Sequence, residues 1–345
     1  MKTLLPLPPV YTPDRADQIW EPRFTEIEKA AEAWARQHTI APANQDKVRV
    51  ALVPIDVQNS FCIPGYELFV AGRSGQGAVE DSRRTAQLIY QNLDVITDIV
   101  PTLDTHILLQ IFFRLCWINE QGEHPVPNAT VITLEQIRSG VWRPNPAVAP
   151  ALFGGDVDEL NRYFLHYATA LTEGGQYPIT VWDYHCMQGT IGHAMVSLVW
   201  EAIFFHNVAR KSQPQFLTKG LVPYSEMYSP FAAEVNVTHT GQRIAEPNTA
   251  MLDHLLTYDM VIVLGQAKSH CVSWALDHLL KHAVAQNPTA AQKIYLVEDC
   301  TSPVVIPHVV DYTTLADAAV QRFQDMGLRV VRSTQPIREW PGAPF

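Results

Sequence analysis

The stretch VRVALVPID, residues 48–56, is an almost unbroken apolar run closed by a carboxylate. A strand with one wet face alternates apolar and polar side chains. A run of this kind therefore reads as a strand buried on both faces, the type found in parallel sheets. From about residue 47 onward, strand and helix patterns alternate. That order predicts a three-layer α/β/α fold around a mostly parallel, Rossmann-like sheet. Further strands are expected in ITDIVPTLD ending at Asp104, in YPITVW (177–182), QFLTK (215–219), MVIVLG (260–265) and KIYLVED (293–299), and in LRVVRS near the end. Helices are expected over 24–38, 78–95 and 312–326. Another follows MVIVLG, where Val272, Ala275, Leu276, Leu279, Leu280 and Ala283 form a helical stripe.

The alternation also divides the chain. Residues 1–46 read as an N-terminal extension carrying one helix, and 47–345 as a single domain. The stretch at about 114–176 breaks the pattern and reads as an insertion, a kind of excursion that is often functional.

Composition narrows the partners. With 47% hydrophobic and 17% charged residues, the chain has material for a large core. Twenty-five basic against 35 acidic residues give −10, which argues against a nucleic-acid partner. No stretch approaches the run of about 20 apolar residues a membrane span requires, and the proline-broken N-terminus does not read as a signal peptide. Five scattered cysteines without a CxxC pair suit reduced thiols. The expectation is a cytoplasmic protein acting on a small molecule.

In open parallel sheets, ligands gather beyond the carboxyl ends of the strands. Asp56, Asp104 and Lys219 fall at such ends, and Cys271 at the start of the helix after MVIVLG, with Ser269 as its expected N-cap. A helix N-terminus favours a thiolate. A carboxylate beyond a buried strand suits a base that takes and returns the thiol proton, and a buried ammonium can support negative charge. Asp104 and His106 share one side of an extended segment, and His185 follows another expected strand. Two histidines and a carboxylate can ligate a metal with positions left open. His270 is excluded as a papain-like base, because consecutive helix residues diverge by about 100°.

Taken in order, VPIDVQNSFC (53–62), LDTH (103–106), the run from Trp182 to Gly192, TKG (218–220) and GQAKSHCV (265–272) resemble the isochorismatase-like cysteine hydrolase superfamily, with nicotinamidases as the nearest type. The resemblance implies that superfamily's hydrolase fold and a catalytic triad of Asp56, Lys219 and Cys271. It implies an oxyanion hole from the Ala267 and Cys271 amides, with a cis Gln266–Ala267 bond. It also implies a divalent metal (Zn, Fe or Mn) on Asp104, His106 and His185, substrate contacts from Phe61, Trp182 and Gln266, and a homo-oligomer. The implied reaction is hydrolysis of a small-molecule carboxamide through a Cys thioester, most simply nicotinamide to nicotinate and ammonia. The alternatives are another amide, a ureido or carbamoyl compound, an isochorismate-like vinyl ether, or a non-catalytic metal-binding homologue. Two departures stand out. Phe112 occupies a place where nicotinamidases often have another histidine, and His106 lies far from His185 in sequence, so the insertion is expected to rebuild the substrate mouth. His124 is read as a loop residue rather than a replacement ligand, Cys62 and Cys186 as packing residues, and 224–235 as a wall or flap from which Tyr228 touches ligand.

Overall fold

Within the run at 48–56, Val50–Ile55 folds as a strand buried along its whole length, at an inner position of a sheet. The structure, a computed structural model, describes residues 4–307 and 309–345. In chain order its principal elements are α1 (Phe24–Gln37), β1 (Val50–Ile55), the single turn α2 (Asn59–Cys62), α3 (Gly77–Gln91), β2 (Asp98–Ile99), β3 (Thr102–Asp104), α4 (Val157–Glu173), α5 (Ser197–Arg210), β4 (Leu217–Lys219), β5 (Met260–Gly265), α6 (Cys271–Gln286), β6 (Ile294–Val297), α7 (Thr313–Asp325) and β7 (Arg329–Val331).

The main sheet has the order β7-β6-β5-β1-β2 with every pairing parallel. Expected ITDIVPTLD is split into β2 and β3 at Val100-Pro101, because proline has no N–H for the ladder. Val100 N–H still reaches Leu52 O at 2.8 Å, and Leu217 N–H reaches Pro101 O at 2.9 Å. β3 then pairs in parallel with β4. The result is one kinked strand that carries the sheet onward to Lys219.

Side chains alternate across the strands as the period of two requires. Val50, Leu52, Met260, Ile262 and Leu264 enter the core shared with α3 and α5. Ala51, Val53, Ile55, Val261 and Val263 enter the opposite core with α6. Each fully buried aliphatic side chain contributes about 1.5–3 kcal/mol. α1 lies on α5. Its start is tied there by Arg23 Nη2 to Glu201 Oε2 at 2.7 Å and by Trp20 Nε1 to Glu201 Oε1 at 2.8 Å. The extension is thus packed against the domain's outer layer.

Two elements differ from expectation. YPITVW does not join the parallel sheet: Ile179–Thr180 pairs antiparallel with Val131–Ile132, inside the excursion. β-Propensity marked the strand, but a single sequence carries no record of its partner. The stretch 197–210, to which sequence assigned no element, is α5. Its SLVWEAIFFHNVAR is apolar nearly all round, since one side meets the core and the other α1. The excursion holds its own aromatic packing, including Trp117 against Phe164 with centroids 5.0 Å apart.

Candidate active site

Four strands deliver their polar ends to one edge. Asp56 follows β1, Asp104 closes β3, Lys219 closes β4, and Cys271 opens α6 after β5. Asp56 has φ 47°. Its N–H donates to Thr102 Oγ1 at 3.0 Å, and the Thr102 hydroxyl donates back to Asp56 Oδ1. Thr102 was not singled out from sequence, yet it fixes the carboxyl's orientation. Gly265 makes the strand end possible: its φ is +109°, and a Cβ there would lie 2.1 Å from Ile55 O. Gly220 plays a similar part beside Lys219, where a Cβ would lie 2.8 Å from Asp104 Oδ1.

Lys219 is the hub. Its Nζ lies 3.1 Å from Asp56 Oδ2, 2.8 Å from Asp104 Oδ1, 2.9 Å from Met227 O and 3.6 Å from Cys271 Sγ. Burial pulls its proton affinity down, but Asp104, Asp56 and Cys271 more than reverse this, so it stays charged. Burial pushes Asp56 up, against Lys219, and pushes the Cys271 thiol well up, again against Lys219. Burial also raises Asp104, yet His106 and Lys219 together hold it well below the ordinary carboxylate value. Asp56 and Cys271 both lie against the Lys219 ammonium, and each shifts the other's proton affinity. One proton between a buried acid and a buried thiol, beside a fixed cation, is an arrangement that can make a thiolate on demand.

The Gln266–Ala267 peptide is cis. Neither the Ala267 nor the Cys271 N–H has an acceptor among the described residues, and both residues line the same cavity. The Gln266 side chain does not line that cavity. It is 1% exposed, donates to Asp81 Oδ2 at 2.9 Å, and accepts from Ser302 N–H. Its contact is with the loop's support and not with the substrate space, a correction to the sequence reading. Ser269 is not the cap of α6. Its Oγ accepts from Val304 N–H at 3.0 Å and lies 2.8 Å from His270 Nδ1. Burial lowers His270 to about 3, so the ring beside Cys271 is neutral.

Asp104, His106 and His185 come together, with ligand atoms all within 4.8 Å of one another. Their surroundings decide where the protons sit. Gln110 Nε2 donates to the carbonyls of Gly220 and Val222, so its Oε1, 2.9 Å from His106 Nδ1, can only accept. His185 Nδ1 is 2.7 Å from the Asp183 carbonyl and must donate. Both Nε2 atoms face Asp104 Oδ2, at 3.0 and 3.7 Å. One carboxylate oxygen and two ring nitrogens converge, the donor set a divalent cation takes when both rings are neutral. Phe112 packs its edge on His106 at 5.0 Å, and His124 bonds Trp117 O, outside the group.

A cavity of about 270 Å³ opens above these groups. Phe61 and Trp182 line it, as does Tyr228, whose OH accepts from Trp182 Nε1 at 3.3 Å. Among the lining residues not singled out from sequence are Glu226, raised to about 7 by burial and then by Asp104, and Asn128 from the excursion. The segment 224–235 is the expected wall, held by Tyr163 OH on Tyr224 O at 2.8 Å and by Glu226 N–H on Tyr167 OH at 3.1 Å.

No family model matches the sequence, and no curated protein matches it. Solved structures do. The yeast nicotinamidase bound to the inhibitor nicotinaldehyde gives a TM-score of 0.50 at 17% identity, covering 82% of this chain and 99% of that one. A nicotinamidase pyrazinamidase from Acinetobacter baumanii gives 0.49 at 21% identity, covering 84% and 98%. The N-carbamoylsarcosine amidase from Thermoplasma acidophilum gives 0.38 at 17% identity, covering 84% and 98%. The yeast structure establishes that this chain has the fold of the isochorismatase-like hydrolases, the fold that the motifs imply. No helix of the described residues is long and apolar enough to cross a membrane.

Proposed function

We propose that this chain is an amidohydrolase using Asp56, Lys219 and Cys271, with nicotinamide the simplest substrate. The observation that carries the reading is the buried constellation itself: a thiol and a carboxyl on one ammonium beneath a cavity, with two unbonded backbone N–H groups on the same wall. Asp56 accepts the Cys271 proton and the thiolate attacks the amide carbon. The Ala267 and Cys271 N–H groups hold the developing oxyanion, the kind of preorganised donor pair worth about 10²–10³ in rate per donor. Collapse breaks the C–N bond, Asp56 returns its proton to the departing ammonia, and water then cleaves the thioester. Lys219 offsets the charge that shuttles between Asp56 and Cys271 without moving.

Asp104 and the Nε2 atoms of His106 and His185 would hold a divalent metal, which supplies a Lewis acid for a lone pair on the substrate. Phe61 and Trp182 supply apolar flanks for a flat ring, and Phe61 itself stands edge-on to His185 at 5.5 Å. The test is ammonia release from nicotinamide by metal-replete protein, chelator-treated protein and Cys271→Ala. Release confined to the metal-replete native chain is the expected result. Release by Cys271→Ala would sink the proposal.

A further inference from the structure

The charges around the cavity say which amides it takes. Among its described lining residues are three carboxyls, Glu67, Asp104 and Glu226, and no lysine or arginine. The cation beneath is already committed. An ammonium has three hydrogens to donate, and those of Lys219 face Asp56, Asp104 and the Met227 carbonyl. Lys268, in the loop before the nucleophile, pairs with Asp317 at 2.7 Å and does not line the cavity. A substrate carboxylate would find no side-chain cation here, and burying an unpaired ion is strongly disfavoured.

The excursion places its own residue on this wall. Asn128 sits at φ 61°, held by its N–H on Val181 O at 2.7 Å. Its Oδ1 accepts from Asp183 N–H at 3.0 Å, so the amide orientation is fixed and Nδ2 is left without an acceptor among the described residues. Where a carboxylate-binding enzyme needs the fork of an arginine, this chain offers an uncharged donor. We propose that the side chains of this cavity select uncharged amides over carboxylates, and that Asn128, delivered by the excursion, is the wall residue that sets the preference.

This rests on the amidohydrolase reading, and a substrate-free test separates the two. Cys271 is alkylated with neutral iodoacetamide or anionic iodoacetate and followed by peptide mass spectrometry, with glutathione as the reference thiol. Protein is used as purified and again after chelation, so that a metal's own attraction for carboxylates is seen apart. The iodoacetamide-to-iodoacetate rate ratio at Cys271 in chelated protein is expected to exceed that of glutathione at least tenfold. Asn128→Asp keeps the acceptor for Asp183 and tolerates the same backbone; it widens the ratio several-fold. Asn128→Lys narrows it several-fold, with thermal unfolding confirming that both variants fold. A ratio within about twofold of glutathione overturns the charge selection, and a ratio unmoved by either variant overturns the role of Asn128. A Cys271 that reacts with neither reagent when native, yet with both in urea, sinks the amidohydrolase reading itself.

Discussion

Lys219→Met is the sharpest perturbation of this molecule, because one ammonium serves two buried carboxyls and a thiol. Methionine matches much of the lysine's length and removes only the charge and its donors. The Lys219, Asp56 and Asp104 side chains are 1%, 0% and 4% exposed, so water cannot take over. Removing one partner of a buried ion pair costs about 3–5 kcal/mol, most of it from the charge left behind, and here two carboxyls are left. The variant is therefore expected to lose about 3–5 kcal/mol of unfolding free energy at pH 7, measured by urea titration of tryptophan fluorescence at fixed metal content. Adding Asp56→Asn to Lys219→Met removes one stranded charge, and the double-mutant cycle should show a coupling of about 2 kcal/mol or more. The pH dependence has a definite sign. Burial already raises Asp56, and Lys219 is the chief opposing influence; without it the folded value rises further above the unfolded one. Such a carboxyl adds stability at low pH that is lost as pH rises through the folded value. The deficit of Lys219→Met is thus largest near neutrality and shrinks toward pH 5. A deficit below about 1 kcal/mol, or one that grows on acidification, refutes the hub.

Two further predictions concern the supports. Gln110→Leu frees the His106 tautomer and should weaken Zn²⁺ binding about 10–100-fold in competition with a chromogenic chelator, while unchanged affinity would remove Gln110 from the metal site. Arg23→Gln should cost about 1–2 kcal/mol at pH 7, a figure discounted because Arg23 is partly in solvent. Burial raises Glu201, but Arg23 pulls it below the ordinary value. The contribution is therefore present above the ordinary carboxylate pKa and lost as pH falls through the lowered one, so urea midpoints of the two proteins should converge below about pH 4.

What was legible in the sequence shares a physical cause. β1, β5 and α6 carry their burial as local periodicity, and Asp56, Asp104, Lys219 and Cys271 stand at positions set by where strands stop. What was not legible depends on partners far away in the chain. Thr102 matters through Asp56, 46 residues distant, and Gln110 through the carbonyls of Gly220 and Val222. No local spacing marks either one. The segment 177–182 has strand propensity, yet Val131–Ile132, and not the main sheet, is its partner. Gln266 sits in the right motif, but its side chain turns to Asp81 because Asp81 and Ser302 meet it from another helix and loop.

The excursion is the part of the chain where sequence pattern carried least and the site depends on it most. Its α4 places Tyr163 and Tyr167 against the backbone of Tyr224 and Glu226. That same segment turns the Met227 carbonyl onto Lys219 and sets Glu226 and Tyr228 in the cavity wall. Asn128, just before Val131–Ile132, reaches the wall directly. A detachable lid would share few buried contacts with the cavity floor, whereas here Leu160, Phe164 and Leu171 belong to the same core as Val261, Val263 and Cys271. The fold fixes Asp56, Lys219 and Cys271 at the sheet edge, and the excursion fixes what stands opposite. Differences in substrate between this chain and others of its fold should therefore follow the residues of 114–182 and 224–235 rather than those of the sheet.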